Sequence, residues 1–247
     1  MGQARSPLGV ADLQRVAARG WRALEEEQLG DWLLRAAGGF TGRANSALVV
    51  GDPGVPLDDA VAAVARWYAD RGLTPCAMLP GVQARRADAA FTAAGWQRGE
   101  IVLVLTAPLG TPPAPAAPVE LSPAPDDAWL ATYAEGRTLQ PTARAVLANT
   151  PDVAFAAVRD ASGAPVAVAR GSLTDGWLGV GAVVVAPDHR RQGLATALLD
   201  ALRGWAVDQG AHSVYLQVTE DNRPARELYR RAGLIEQHRY WYRRLPG

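Results

Sequence analysis

Val183-Val184-Val185-Ala186-Pro187-Asp188-His189-Arg190-Arg191-Gln192-Gly193-Leu194-Ala195-Thr196-Ala197-Leu198-Leu199 is the stretch from which the fold is read. An apolar run stops at a proline, a basic loop with one glycine follows, and residues with helical spacing continue to near Gly210. A strand that turns into a helix in this way aims several unpaired backbone N–H groups at one point, where the helix also carries partial positive charge. Such a point binds anions, phosphates above all. Gly193 permits close backbone approach, and Ala195 is small enough not to obstruct it. Arg190 and Arg191 add fork-shaped donors suited to phosphate oxygens. Read alone, the same residues also suit an ordinary strand-to-helix connection with solvated arginines.

The residues beyond it decide between the two. Val214-Tyr215-Leu216-Gln217-Val218 reads as a second buried strand. Thr219 to Leu234 then contains a short helix, opened by Asn222 and Pro224 and stopped by Gly233. Ala225, Leu228 and Tyr229 share one face of it. The two blocks together resemble the GNAT superfamily of acyl-CoA N-acyltransferases. Arg190-x-x-Gly193-x-Ala195 matches its (Gln/Arg)-x-x-Gly-x-(Gly/Ala) pyrophosphate loop. Val218, Asn222, Ala225, Leu228, Tyr229 and Gly233 match its second block, on the helix after the splayed strand. The paired match spans about fifty residues in the family's order and spacing.

Composition agrees with a globular protein. The chain has 247 residues, enough for one or two domains, and 49% are apolar. Net charge is zero with no basic face in bulk, so nucleic acid is not an expected partner. All 25 basic residues other than the three histidines are arginine, which excludes a Schiff-base lysine. Cys76 is the sole cysteine, so no internal disulfide or zinc cluster is expected, and an apolar setting makes it a core residue. No apolar run is long enough to span a membrane and no signal peptide opens the chain, so a cytoplasmic protein is expected.

The proline-rich segment 107–118 divides the chain into two flanks of similar length. An offset of 138 residues aligns them without gaps: Trp205 falls on Trp67, Asp208 on Asp70, Gly210 on Gly72, Ala225 on Ala87, and Gly233 on Gly95. Both flanks read strand, helix, strand, short helix, strand. The expected fold class is therefore α/β, an α+β mixed-sheet fold. It holds two GNAT-like units in tandem, each a mixed, mostly antiparallel twisted sheet flanked by helices. Their bounds are 1–106, with an N-terminal helix, and 119–247. The differences along the alignment separate them. Arg190, Gly193 and Ala195 become Asp52, Val55 and Leu57, and Tyr229 and Asn222 become Phe91 and Ala84. The first unit keeps core positions and lacks the anion-binding residues.

The first unit has its own conspicuous segment, Asp31 to Ala47, in which two strand-like runs flank a glycine-rich loop. Arg35, Thr41, Arg43, Asn45 and Ser46 either line an acceptor pocket or the interface between units, or form the polar face of a twisted hairpin. The segment is similar to a pattern in actinobacterial tandem-GNAT proteins, some of which carry glutamate N-acetyltransferase labels; mycothiol synthase is a more distant likeness. The tail Arg239-Tyr240-Trp241-Tyr242-Arg243-Arg244 alternates as a final strand. It either lines a wall of the acceptor site through Tyr240 and Tyr242 or is an amphipathic edge strand.

The resemblance implies direct attack of an amine on the thioester of acetyl-CoA, the expected co-substrate, with no metal. Val183, Val184 and Val185 would offer main-chain groups to the pantetheine arm. Arg190, Arg191, Gln192, Gly193, Leu194, Ala195 and Thr196 would hold the pyrophosphate, with Asn222 and Ala225 on the following helix. Tyr229 would act as general acid toward the thiolate. The base is not evident, because Gly179-Val180-Gly181-Ala182 carries no titratable group. Glu220 is the first candidate, followed by Asp221 and Asp175; His189, His212 and His238 read as surface or packing residues. The expectation is a monomeric or homodimeric N-acetyltransferase acting on a small-molecule amine. The alternative is a non-catalytic acyl-CoA-binding regulatory module.

Overall fold

Runs of small and β-branched residues bounded by glycine turns alternate with amphipathic segments, and among the described residues they fold into eleven strands and seven α-helices. The computed structural model describes residues 8–246, so the outer bounds 1 and 247 of the two expected units lie outside the described residues. The first half contains α1 (Val10–Gly20), β1 (Glu25–Leu29), β2 (Trp32–Ala36), β3 (Ala47–Leu48), α2 (Leu57–Ala69), β4 (Cys76–Pro80), α3 (Arg85–Ala93) and β5 (Gln97–Pro108). The second contains β6 (Glu120–Ser122), α4 (Asp127–Ala134), α5 (Ala143–Ala148), β7 (Val153–Arg159), β8 (Pro165–Thr174) and β9 (Trp177–Val185). It ends with α6 (Leu194–Asp208), β10 (Ser213–Thr219), α7 (Arg223–Arg231) and β11 (Ile235–Arg244). No helix among the described residues is long and apolar enough to cross a membrane.

The halves repeat one another down to single hydrogen bonds. α2 closes with the Gly72 N–H donating to the Ala69 carbonyl, and α6 closes with Gly210 donating to Val207, each at 2.9 Å. After α3 the Trp96 N–H reaches the Phe91 carbonyl at 3.0 Å, and after α7 the Leu234 N–H reaches Tyr229 at the same distance. Gly95 and Gly233, which end these helices, sit at φ 82° and 83°, a left-handed conformation that glycine adopts without a Cβ penalty. In each half the strand before the longer helix runs parallel to the strand after it: β3 with β4, and β9 with β10.

All strands belong to one mixed sheet in the order β1-β2-β3-β4-β11-β5-β10-β9-β8-β7-β6. The units therefore do not own separate sheets. They trade their last strands: β5 lies between β10 and β11, and β11 lies between β4 and β5. β11 is thus a central strand rather than the amphipathic edge strand that its alternation also allowed. Both of its faces are covered. Tyr240 and Tyr242 join the core under α1, while Trp241 packs toward α2 and α3. From β11 the Trp241 Nε1 and Arg243 Nε donate to Asp88 of α3, each at 2.8 Å. Burial would raise that carboxyl, but the bonds from Arg243 and Trp241 outweigh it and hold it below its usual range.

β5 is as firmly held by the second half. Leu103, Leu105 and Ala107 enter the core beneath α6 and α7, while Val102 and Val104 face α1. The strand continues into the proline-rich segment through Ala107 and Pro108, and the Leu109 N–H bonds to the His212 carbonyl at 3.0 Å, so open chain begins only after Leu109. Pro108 is tolerated because β11 begins opposite Thr106, so at Pro108 the strand has a neighbour only in β10 and is an edge on its other side. Helices α2, α3, α6 and α7 cover one face of the sheet. The other face carries α1, α4, α5 and the glycine-rich loop of residues 37–46.

Candidate functional site

β9 and β10 pair only from Trp177–Ser213 to Val180–Leu216 and then part. The cause is local: Ala182 takes φ 52°, and the register against β8 slips between Val168 and Arg170. A left-handed non-glycine residue in a strand is the mark of a bulge, which bends the strand and turns its remaining residues in a new direction. Val184 and Val185 keep their partners in β8, and beyond Val180 the other edge of β9 has no strand beside it. Such an edge takes an extended ligand as an added strand.

The strand end leads into a short 3-10 turn (Pro187–His189) and then to α6. Arg191 and Gly193 take φ 62° and 78°, and the N-terminus of α6 has neither a side-chain cap nor an acid in its first turn. Its donors are left for something else. A Cβ built on Gly193 would meet nothing within 4 Å, so the space beside this helix end is open. The two arginines differ. Arg190 donates from Nε to the Val185 carbonyl at 3.1 Å and from Nη2 to Glu135 at 2.7 Å, so it braces the loop rather than pointing at a ligand. Arg191 is exposed and makes no side-chain bond among the described residues; Gln192 is exposed beside it. Asn222 caps α7, its Oδ1 accepting from the Ala225 N–H at 3.1 Å.

Tyr229 of α7 is buried in the core beneath α6 and α7, and its hydroxyl has no hydrogen-bond partner among the described residues. Burial pushes its pKa up to about 12, so it stays protonated at neutral pH. Phe91, at the matching place, is wholly enclosed between Trp32 and Trp96. Of the base candidates, Glu220 is ion-paired to Arg239 at 3.0 Å and Asp175 to Arg19. His238 is buried and held neutral, its pKa lowered to about 4 by burial. No group of three or more His, Cys, Asp or Glu among the described residues is arranged to hold a metal.

The face opposite α6 is built partly by the first half. Loop 37–46 crosses to the second half, where Ala37, Phe40 and Ala44 pack on α4 and α5 and the Thr142 hydroxyl bonds the Ala37 carbonyl at 2.8 Å. Asn45 organises the loop. Its Oδ1 accepts from the N–H groups of Ala37 and Gly39, and its Nδ2 donates to the carbonyls of Phe40 and Thr41. Thr41 accepts from Trp21 Nε1 at 3.1 Å. Arg35 is almost fully buried and bonds the Ser46 carbonyl and hydroxyl at 3.0 and 3.1 Å, away from the parted strands. Arg43, half-buried, instead stands at the fork itself, with its guanidinium 4.0 Å from the centre of the Trp21 ring. Tyr240 donates to Gln217, the first β10 residue past the last β9 pair, at 2.9 Å, and its hydroxyl lies 3.5 Å from that of Tyr242.

Sequence reading missed Trp21, Arg170 and Gln217, which line the same small cavity as Arg43. One signal was available: Arg170 interrupts the apolar run Val166-Ala167-Val168-Ala169, and a charge inside a buried strand demands a reason.

Comparison with known proteins points one way. The family described as "Probable histone acetyltransferase Rv0428c C-terminal" matches residues 9–243. The chain is 33% identical to the probable histone acetyltransferase Rv0428c of Mycobacterium tuberculosis over 85% of its own length and 66% of that protein's. It is 26% identical to the uncharacterized N-acetyltransferase YobR of Bacillus subtilis over 95% of this chain and 99% of that one. Among solved structures, a GCN5-related N-acetyltransferase from Kribbella flavida superposes with TM-score 0.71 and 20% identity over 96% of both chains. A tandem GNAT protein from the clavulanic acid biosynthesis pathway gives 0.64 and 18%, over 98% of this chain and 91% of that one. The last two likenesses speak to the fold.

Proposed function

The chain belongs to the Rv0428c C-terminal family of GNAT-type N-acetyltransferases, and we propose that it moves acetyl from acetyl-CoA to the amine of a small molecule. The observation that carries this reading is the parting of β9 from β10 beside an uncapped helix N-terminus that opens on empty space at Gly193. The unpaired edge of Val183 to Val185 suits the amide-bearing arm of the donor, and Gly193 to Thr196 suit its pyrophosphate. Arg191 supplies charge there, while Arg190 holds the loop in shape.

Amine attack on the thioester forms a C–N bond and breaks the C–S bond, with no covalent enzyme intermediate; the amine's proton is lost to solvent and the departing thiolate takes one up. Holding both reactants at the fork provides most of what such a reaction needs. Tyr229 is the proposed donor of a proton to the departing thiolate; it is buried, protonated and without a hydrogen-bond partner among the described residues. No side chain is assigned as base, since Glu220 is engaged by Arg239. In this reading 119–247 carries the chemistry, and 1–106, joined through 107–118, contributes most of β5 and the loop bearing Arg43.

The test has two parts. Calorimetry should find one acetyl-CoA per chain. Thiol release should then depend on adding a small amine from a panel of amino acids, polyamines and aminoglycosides. Two sites per chain, or release only with lysine-rich protein substrates, would overturn the proposal.

A further inference from the structure

Arg43 and Arg170 meet behind the fork with no carboxylate in the cavity they line, while Arg35, on β2, lies apart and feels the charge of Glu26. Arg35 spends its donors on Ser46, and Arg170 spends its own on the carbonyls of Leu147 and Gly20 and on the Thr150 hydroxyl, at 2.6 to 2.9 Å. Neither they nor Arg43 forms an ion pair among the described residues. Arg43 also makes no hydrogen bond there, so its five donors are unspent, although it is only half exposed. It shares the Trp21 ring with Arg170, whose guanidinium carbon lies 4.8 Å from the ring centre against 4.0 Å for Arg43. Two like charges on one indole are an unfavourable pair until an anion joins them.

The surroundings do not supply that anion. Trp21, Arg43, Arg170, Ser172, Tyr215 and Gln217, with small residues of α1 and β9, line a cavity of about 10 Å³ behind the fork, the size of one water, and no carboxylate is among them. Tyr215, Tyr240 and Tyr242 are all raised by burial, so they are neutral phenols and add no negative charge. Arg170 is pushed down to about 10, by burial first and by Arg43 in addition, yet it remains charged at neutral pH. The position of Arg43 is specific. A Cβ built on Gly181 would lie 3.6 Å from its Nη1, and Gly181 is the residue at which β9 has just left β10.

Resting on the reading above, we infer that the acceptor amine carries a carboxylate a few bonds from its nitrogen, and that Arg43 grips this carboxylate at the fork. A planar guanidinium matches a carboxylate in two parallel bonds, and this one is partly desolvated, where such a bond discriminates most. The positive field of Arg43 and Arg170 repels polyamines and lysine-rich tails, whose cationic flanks would need acids beside these arginines. The substrate class is therefore amino acids, recognised through the carboxylate, rather than cationic peptides.

The experiment crosses protein variants with matched substrates. Amino acids and their α-amides, together with putrescine and a histone-tail peptide, are offered to wild type, Arg43→Lys, Arg43→Met and Arg43→Glu. Acetyl-CoA binding and thermal unfolding are checked for each variant. Wild type should prefer the acid to its amide. Arg43→Met should raise KM for the acid by about 10- to 100-fold, the range for loss of a charged hydrogen bond, with little change for the amide. Arg43→Lys should recover part of the loss, and Arg43→Glu should turn preference toward amide and putrescine. A merely structural arginine would weaken acid and amide alike. Equal use of acid and amide by wild type, or turnover of the peptide with no dependence on residue 43, would overturn the inference and leave the acetyltransferase reading intact. If no amine is turned over, saturation-transfer NMR on the CoA-loaded protein still decides: amino-acid binding lost in Arg43→Met supports the carboxylate grip, and no binding to wild type refutes it.

Discussion

The starts of α2 and α6 occupy matching places in the two halves and show what an anion site requires. The turn before α2 spends its donors internally: the Asp31 N–H reaches the Asp52 carbonyl, the Asp52 N–H reaches the Asp31 carboxylate, and the Gly54 N–H reaches Asp52 Oδ1. Asp58 and Asp59 then stand in its first turn, where they satisfy the helix dipole and repel other anions. The turn before α6 bonds its own N–H groups only at His189 and Arg190; no acid stands in the first helical turn, and Arg191 and Gly193 are held in left-handed conformations beside open space. A helix N-terminus is thus a site only when its own chain declines to fill it. Phe91 and Tyr229 make the same point, since one ring is sealed between tryptophans and the other keeps an unpartnered hydroxyl.

The comparison breaks most completely if the halves are separated. Residues 119–247 alone lack β5, which leaves facing edges of β10 and β11 unpaired and uncovers the apolar residues under α6 and α7. That fragment should show no cooperative thermal transition and no acetyl-CoA binding, and co-expression with 1–118 should restore both. A folded, acetyl-CoA-binding fragment would show that the strand trade is dispensable.

Gly193→Trp and Val55→Trp test the two helix starts against each other. The first should abolish acetyl-CoA binding in calorimetry, by filling the open space and straining a backbone at φ 78°. The second should leave affinity unchanged. Loss of binding in both would mean that the first half also holds donor.

Exchanging the rings sharpens the contrast further. Tyr229→Phe should leave folding and donor affinity in place and lower kcat by about 100-fold, the low end for loss of a positioned general acid. Phe91→Tyr places a hydroxyl in a fully enclosed site and should cost about 1–3 kcal/mol in chemical denaturation. An unchanged kcat in the former, with chemistry rate-limiting, would remove Tyr229 from the mechanism.

A pH dependence follows from the traded strands. β11 buries His238 where β5 exposes Glu100. The His238 Nδ1 lies 2.7 Å from the Gln237 side-chain oxygen, and Nε2 lies 2.7 Å from the Gln14 amide nitrogen, an arrangement that suits a neutral ring. Its folded pKa of about 4 lies below the ordinary value of 6.5, so the unfolded chain binds the proton more readily. Stability is therefore full above pH 6.5 and falls as pH drops toward 4, by about 2–3 kcal/mol. His238→Gln should flatten that slope in denaturation measured across the same range.

Legibility in the sequence depends on distance along the chain. The loop at Gly193 and the helix from Asn222 are local, so residue type and spacing announce them. The repeat is legible too, because Trp67 and Trp205 or Gly95 and Gly233 hold the same place in the same local unit. The trade of β5 and β11 is not, since nothing in either strand's alternation says which neighbour it pairs with. Nor is the cluster of Trp21, Arg43 and Arg170, which three separate segments assemble. Asn45 and Arg190 carry residue types that suit ligand binding, and only geometry shows them bracing their loops.

The traded strands also set an order of events during synthesis. β5 leaves the ribosome while its neighbours β10 and β11 are still untranslated; β11 starts about 130 residues after β5 ends. At ~5–20 residues per second the wait is of order ten seconds, long compared with the formation of helices and hairpins. During it the first half holds an unclosed sheet edge, a hazard for misassociation that a chaperone would shield. Translation that stops before Arg244 leaves both halves unfinished, so quality control sees a prematurely ended chain as unfolded throughout.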